Sequence, residues 1–315
     1  MRRVPLAALT LAALALFPSA PDPLGDAVGH RITVVLSRDI RPYRQVLQGL
    51  RRSFHRDDPQ MEYRVVTLGR DDSLAAEALP ARGADQIPLI VAVGSRALAS
   101  VRRAGAKVPV LLVGVPAPGQ ARSGDGAAEI FGVNMGIPFE KQFRALRAVA
   151  PRTRTVGVLY ERSNHALIRM ASRAAGRAGL TLNPVEIRSL EEIPGALDAL
   201  LDEVNALWAL PDATVFSSDT APYIILRTLR QRVPFMGFSQ SFVKAGSLLS
   251  LYCDLEDVGE QAGHMALDVL HGRRPARGGI EPPRKTLLAL NLRVAEVIGL
   301  PIPPEIRRSA DATYE

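Results

Sequence analysis

The chain has 315 residues, of which 47% are hydrophobic and 5% aromatic. This length and apolar content predict one large core or two medium ones and argue against disorder. The formal charge of +7 comes mainly from arginines scattered along the whole chain, with no basic stripe interleaved with stacking rings. A single-stranded nucleic-acid groove therefore lacks its components, and we expect no nucleic-acid partner.

The N-terminal segment has the pattern of a secretory signal. A positive start, Met1-Arg2-Arg3, precedes an apolar run over residues 4–17 that is too short for a mature membrane-spanning helix. Small residues suggest cleavage after Ala20 or after Ala27, and we assign residues 1–27 to the signal peptide; an uncleaved anchor is the alternative. No cysteine lies near residue 20, which argues against a lipoprotein. The sequence thus predicts a periplasmic protein.

From residue 31 onward, short apolar runs alternate with amphipathic helical patterns. In the first half, strands are predicted at 32–36, 63–68, 89–93 and 110–113, and helices at 42–55, 74–79 and 95–104. In the second half, strands are predicted at 156–159, 182–187, 206–210 and 233–237, and helices at 139–150, 166–178, 193–204 and from Ser218 or Asp219 to Arg230. Strands separated by helices indicate parallel sheets, because a parallel return needs a crossover. We predict an α/β fold with two doubly wound lobes.

The joins between the two blocks predict how the lobes are assembled. Residues 130–134 lead from the first block to the second, and a helix at 255–270 and a strand at 286–290 follow the second block. Each block lacks one helix, and returns near 250–254 and 287–291 would supply both. We therefore predict lobe 1 from residues 28–133 plus 252–285 and lobe 2 from residues 134–251 plus 286–315. A three-segment hinge, with crossings near Gly132, Leu251 and Leu288, would flank a ligand cleft.

Four stretches, in this order and spacing, carry a family resemblance. They are VGVLYERSN (156–164), ALPDATVFSSD (209–219), the segment from VPFMGFSQ to HGRRP (233–275) and LNLRVAEVIGLPIPPEIRRSAD (290–311). Together they resemble the substrate-binding proteins of bacterial ABC transporters that have the type I periplasmic-binding fold. Better-studied members of this group bind amino acids, aromatic ones among them. The resemblance implies a monomeric, non-enzymatic protein without a cofactor that captures a small ligand and delivers it to an ABC permease.

The resemblance also implies where ligand contacts lie, namely at strand ends in both lobes. In lobe 1 the matching positions are Ser37, Arg38, Gly94, Ser95, Pro116 and Ala117. In lobe 2 they are Tyr160, Ser163, Asn164, Asp212, Ala213, Phe238 and Ser239, and Asp254 matches a remaining strand end. The family commonly has an acid where this chain has Ala117, so either Asp212 or Asp254 pairs with a ligand ammonium or the ligand lacks one.

Simpler structural roles are open for several of these residues. Asp212 follows a proline in a segment typical of turns. Ser163 and Asn164 stand where they could cap the next helix. The single cysteine, Cys253, cannot form an internal disulfide and is expected to be a small buried hydrophobe. Gly259, together with Gly263, is expected to permit close packing of a helix on the sheet.

Four other functional readings bear on the sequence: a serine hydrolase, a metal site, a DNA-binding repressor and a sensor without transport. The stretch GFSQS (237–241) approximates the G-x-S-x-G nucleophile elbow, with Asp254 or Asp257 and His264 or His271 following in triad order. It lacks the second glycine, so a serine hydrolase is a weak alternative. Glu260, His264 and His271 lie near one helical face, but without cysteines they indicate a solvated surface and no metal site. DNA-binding repressors of the same fold need a helix-turn-helix ahead of the first lobe, where this chain has a signal-like segment and a linker, so a repressor is not expected. A periplasmic sensor without transport stays open as an alternative.

Overall fold

The computed structural model describes residues 31–69, 89–115, 128–273 and 279–315. The predicted signal peptide, the predicted helix at 74–79 and the predicted contacts Pro116 and Ala117 lie outside the described residues. The described residues form two sheets with helices on both faces.

The first half of the chain alternates strands and helices as the sequence predicts. Its strands are β1 (Arg31–Leu36), β2 (Glu62–Thr67), β3 (Leu89–Val93), β4 (Val110–Val115) and β5 (Ile130–Asn134). Its helices are α1 (Arg41–Asp57) and α2 (Ser95–Arg103). The apolar residues at helical spacing in α1 form its buried face: Val46, Leu50 and Phe54 are at most 2% exposed.

The second half continues the alternation and adds short elements that the sequence pattern does not predict. The strands are β6 (Thr155–Glu161), β7 (Thr181–Ile187), β8 (Ala206–Trp208), β9 (Phe235–Gly237), β10 (Leu249–Cys253), β11 (Ile280–Glu281), β12 (Thr286–Asn291) and β13 (Ala312–Tyr314). The helices are α3 (Phe139–Val149), α4 (His165–Arg177), α5 (Ile193–Glu203), α6 (Thr220–Arg230), α7 (Gln240–Ala245), α8 (Leu255–Leu270), α9 (Leu292–Val297) and α10 (Pro304–Ser309).

The strands divide between two sheets. The first has six strands in the order β11-β5-β4-β3-β1-β2, all parallel. The second has seven in the order β13-β12-β10-β9-β8-β6-β7, all parallel except the antiparallel pair β10 and β12. That pair is antiparallel because β10 ends where the chain leaves the second sheet and β12 begins where the chain returns. The predicted α/β class with two parallel sheets is confirmed.

Three connections join the sheets, at residues 135–138, at Asp254 and at residues 282–285. Gly132, Leu251 and Leu288 lie inside β5, β10 and β12, so the chain passes between sheets a few residues after the first two and before the third. The lobe boundaries stay a prediction. Each sheet has a buried apolar cluster on both of its faces, so each sheet has a core of its own.

Helix α8 packs on helix α1, and glycines make this contact possible. A Cβ atom on Gly259 would lie 2.1 Å from the carbonyl oxygen of Val46, and one on Gly49 would lie 1.9 Å from that of Glu256. The expectation that Gly259 and Gly263 permit close packing is right, but the neighbour is a helix and not the sheet. Among the described residues, no helix combines the length and apolar character needed to cross a membrane.

Candidate functional site

The carboxyl ends of β1 and β3 meet at the start of α2 in the first sheet. Ser37, directly after β1, is 2% exposed, and its hydroxyl accepts a hydrogen bond from the Ala97 N–H at 2.8 Å. The N-cap of α2 is Gly94, which has no side chain to cap the helix. Ser37 therefore caps α2 from another strand and fixes the helix start against the sheet edge.

Gly94 itself adopts a backbone conformation that favours glycine. Its φ is 88° and its ψ is 165°, and a Cβ atom there would lie 2.6 Å from both the Ser37 Oγ and the Tyr43 hydroxyl. Its N–H donates to the Val113 carbonyl at 2.8 Å, so it is not available to a ligand. The next N–H, that of Ser95, has no acceptor among the residues that the structure describes. Ser95 is exposed, and its N–H stands at the positive end of the helix dipole.

Two residues at this edge differ from the sequence-based assignment. Arg38 is exposed and makes no hydrogen bond or ion pair with the described residues. Arg96 instead reaches across the edge, where its guanidinium donates to the Gly69 carbonyl at 2.8 Å and to the Ser37 carbonyl at 3.4 Å. Neither Arg96 nor Tyr43 is a predicted site residue, because both belong to helical patterns that indicate structure only.

Asp212 is the central polar residue at the carboxyl edge of the second sheet. It follows β8, is 6% exposed, and accepts four hydrogen bonds. Its Oδ1 accepts the N–H groups of Thr214 at 2.9 Å and Val215 at 3.1 Å, and its Oδ2 accepts the Glu161 N–H and the Asn164 Nδ2, both at 2.8 Å. The carboxylate thus shapes its own turn and ties that turn to the end of β6. Asp212 therefore holds its own turn and positions the end of β6 through the same carboxylate.

The end of β6 supplies the remaining polar groups of this edge. Tyr160 is buried, and loss of water contact, with the nearby charge of Glu186, raises the pKa of its hydroxyl. Ser163 is exposed, and both its N–H and its hydroxyl donate to the Glu161 carboxylate. Asn164 occupies the N-cap position of α4, but its side chain makes no capping bond. The prediction that Ser163 or Asn164 caps this helix through its side chain is therefore wrong.

An aromatic cluster follows strands β8 and β9 of the same sheet. Phe238, directly after β9, is half-buried and lies with its ring centroid 4.2 Å from that of Phe242 and 5.8 Å from that of Phe216. All three rings are only partly buried. Ser239 is the N-cap of α7, and its hydroxyl makes no hydrogen bond with the described residues. Sequence patterns missed Phe216 and Phe242, although both lie within four residues of a predicted site residue.

Asp254 lies at the connection between β10 and α8. It caps α8 by accepting the Asp257 N–H at 3.2 Å and accepts the Lys285 ammonium at 2.6 Å. Partial burial alone would raise the pKa of Asp254, but the hydrogen bonds and charge of Lys285 and the Asp257 N–H leave it below its ordinary value. Because Lys285 belongs to a second inter-sheet connection, the pair joins two of the three connections. Ala213 is exposed in the turn after Asp212.

The residues of the hydrolase alternative are not assembled into a triad. Ser239 follows a strand and precedes a helix, but its φ of −153° and ψ of 160° are ordinary extended backbone, unlike a strained elbow. The candidate base His264 has its Nε2 3.2 Å from the Asp57 carboxylate. The candidate acid Asp257 is paired with Arg284 at 2.8 Å. Over the described ranges, no three His, Cys, Asp or Glu side chains are grouped as metal ligands.

Comparison with known proteins gives one family profile and one curated relative. The sequence profile of the family described as ABC transporter substrate binding protein matches residues 37–314. The chain is 22% identical over 196 residues to the tyrosine-binding protein of Clostridioides difficile (strain R20291), a match that covers 60% of this chain and 56% of that relative. The match thus spans little more than half of the relative's length.

Solved structures share the architecture. An ABC domain in complex with L-Trp from Streptococcus pneumonia has a TM-score of 0.62 at 21% identity, covering 90% of this chain and 99% of that one. The ligand-free, open structure of a substrate-binding protein with adhesive properties from Clostridium difficile has a TM-score of 0.74 at 16% identity, with the same coverage. The fold is that of the type I periplasmic binding proteins. Since the family profile matches nearly all of the described residues, the chain belongs to the ABC transporter substrate-binding protein family.

Proposed function

We propose that the protein is an extracytoplasmic solute receptor that binds an amino acid, most favourably an aromatic one, between its two lobes and delivers it to an ABC importer. The observation that carries the proposal is the complementary chemistry of the two sheet edges. The first edge presents the start of α2, where the Ser95 N–H has no acceptor within the described part of the chain and suits a carboxylate. The second presents Asn164 after β6, and the partly buried rings of Phe216, Phe238 and Phe242 follow strands β8 and β9 of the same sheet.

The relatives support the same ligand class without assigning it. One is named for tyrosine, and one was solved with L-Trp. A ligand with a carboxylate, a hydrogen-bond donor and an aromatic ring has one group for each feature of the two edges. Asp254, held by Lys285, is a residue of the connections and does not enter this assignment.

A substitution at the first residue of α2 tests the carboxylate subsite. Ser95→Pro removes the N–H at a helix position that tolerates proline, so the fold should persist while the subsite loses a donor. Ser95→Ala retains the N–H and is the matched control. Isothermal titration with L-tyrosine and L-tryptophan should show affinity reduced about tenfold or more in Ser95→Pro and nearly unchanged in Ser95→Ala, since hydrogen bonds to charged groups contribute about 1.5–3 kcal/mol. Equal affinities in the two variants would contradict the carboxylate subsite.

The ligand class is tested first by thermal shift. The purified protein is screened against amino acids, purines and small carboxylates. The aromatic amino acids should raise its melting temperature, with a stabilisation of RT ln(1 + [L]/Kd). Stabilisation by purines alone would exclude the amino-acid assignment.

Export and transport are tested in cells. An alkaline-phosphatase reporter fused after residue 30 should be active only outside the cytoplasm, because it needs disulfides. Deletion of the gene should abolish uptake of the identified ligand; unchanged uptake would favour a sensor without transport.

A further inference from the structure

Asp212 is one of the two predicted partners for a ligand ammonium, yet its hydrogen-bonding capacity is already used. A carboxylate offers about four lone-pair sites. Asp212 accepts four N–H groups, two on each oxygen, at 2.8 to 3.1 Å. A ligand ammonium could bind directly only by displacing one of these donors from a side chain that is 6% exposed. The carboxylate is therefore built into the protein and does not face the ligand.

The same geometry determines which way the Asn164 amide points. A carboxylate only accepts, so the amide must turn its Nδ2 toward Asp212, and the Nδ2–Oδ2 distance is 2.8 Å. The Asn164 Oδ1 lies on the other side of the amide carbon and points away from Asp212. It accepts no hydrogen bond from the residues that the structure describes. The side chain is half-buried at the carboxyl end of β6, where a short 3-10 turn begins α4.

We infer that Asp212 is a positioning residue that fixes the Asn164 amide, and that the Asn164 Oδ1 is the acceptor for the ammonium group of the bound amino acid. This rests on the proposed function and names the group that replaces the acid missing at Ala117. The carboxylate, the amide and the ligand ammonium form a chain in which each hydrogen bond polarises the next. The charge of Asp212 thereby favours a cationic group without touching it.

Asp212→Asn would change the polarity of this subsite. The oxygen of the new amide can still accept the Thr214 and Val215 N–H groups, but its nitrogen then faces the Glu161 N–H and the Asn164 amide. Asn164 relieves its own conflict with that nitrogen by turning over and accepting with its Oδ1, whereas the Glu161 N–H loses its acceptor. Its Nδ2 then points outward, so a donor stands where the wild-type protein has an acceptor.

The test compares L-tyrosine with its deaminated analogue, 3-(4-hydroxyphenyl)propanoate, by isothermal titration. In the wild-type protein the amino group should increase affinity by at least about tenfold, as expected for a charged hydrogen bond. In Asn164→Ala and in Asp212→Asn the ratio of the two affinities should fall close to one. Ser172→Ala, which alters a hydroxyl that donates to the Ile168 carbonyl within helix α4, should keep the wild-type ratio. A ratio that stays at the wild-type value in either of the first two variants would overturn the inference.

A ligand-free measurement separates this inference from the proposed function. The Asn164 side-chain amide signals, identified in a nitrogen-15 correlation spectrum by their absence in Asn164→Ala, should shift and lose protection from solvent exchange in Asp212→Asn. If wild-type protein binds neither compound, the aromatic amino-acid assignment fails, and these signals alone decide the positioning role of Asp212. Signals unchanged by Asp212→Asn would overturn it whatever the ligand is. Asn164→Ala keeps the turn contacts of Asp212, so it remains informative if Asp212→Asn unfolds.

Discussion

At the scale of one residue, Gly94 permits the close packing at the edge of the first sheet because it has no side chain. Its φ of 88° and ψ of 165° lie in a region that is almost restricted to glycine, and the Ser37 and Tyr43 oxygens lie 2.6 Å from where a Cβ would stand. This packing brings the Ser37 hydroxyl to the start of α2. The glycine is thus required twice, for backbone conformation and for space.

Gly94→Ala should therefore lower the free energy of unfolding by about 2–4 kcal/mol, because strain and steric overlap add. Gly105→Ala is the control, since Gly105 has a φ of 68° but nothing within 4 Å of its Cβ position. That variant should lose only about 1 kcal/mol from backbone strain. Urea denaturation measures both, and equal losses would show that the crowding at Gly94 is relieved at no cost.

Individual site residues were predictable where an apolar run in the sequence shows that a strand ends. Ser37, Asn164 and Asp212 follow apolar runs and do lie at carboxyl edges of the sheets. The sequence does not show which of their atoms are already bonded, because the four donors to Asp212 come from two separate segments of the chain. Cys253 is only partly buried, and desolvation still raises the pKa of its thiol to about 11, so it stays protonated at neutral pH.

At the scale of elements, the contact between α1 and α8 depends on glycines at the crossing. Gly259→Ala should destabilise the protein by about 3 kcal/mol or more, because its Cβ would lie 2.1 Å from the Val46 carbonyl oxygen and backbone must move. Gly176 is an exposed residue of helix α4, and nothing lies within 4 Å of the position of its Cβ. Gly176→Ala should therefore stabilise the protein by about 0.5–1 kcal/mol. Thermal unfolding compares the pair. Similar shifts in both variants would contradict the close helix contact.

The Asp254–Lys285 pair gives a pH dependence at the connections. The folded-state pKa of Asp254 lies below its unfolded value, so its stabilising contribution is present above about pH 4 and is lost as pH falls through the folded pKa. Lys285→Met should therefore reduce stability at pH 7, and its difference from wild type should shrink below about pH 4. Denaturation at a series of pH values measures this. A difference that stays constant down to pH 2 would remove the pair as its cause.

Long elements were predictable and short ones were not. Helix α8 and strand β3 have the predicted bounds because their apolar patterns are long or uninterrupted. Helices α7, α9 and α10 are six residues each, too short for a helical period to be recognised. The antiparallel return of β12 depends on the path through the first lobe, which no local pattern contains.

For the whole molecule, the three connections between the sheets define the proposed motion. The described residues connect the predicted lobes at 135–138, at Asp254 and at 282–285, and we expect the lobes to rotate about these segments while each core stays intact. A ligand that reaches both sheet edges binds best when they approach, so binding favours the closed arrangement. The protein is expected to act as a monomer, which light scattering on the purified chain would verify.

The most direct measurement is small-angle X-ray scattering of the purified protein with and without the amino acid that most raises its melting temperature. Closure on a ligand held between the lobes predicts a smaller radius of gyration at saturation, with one ligand bound per chain. Ser95→Pro and Asn164→Ala should each need more ligand for the same compaction, because one group of each edge is lost. Saturable binding with an unchanged radius of gyration would contradict the account, since the ligand would then occupy one lobe without bridging to the other.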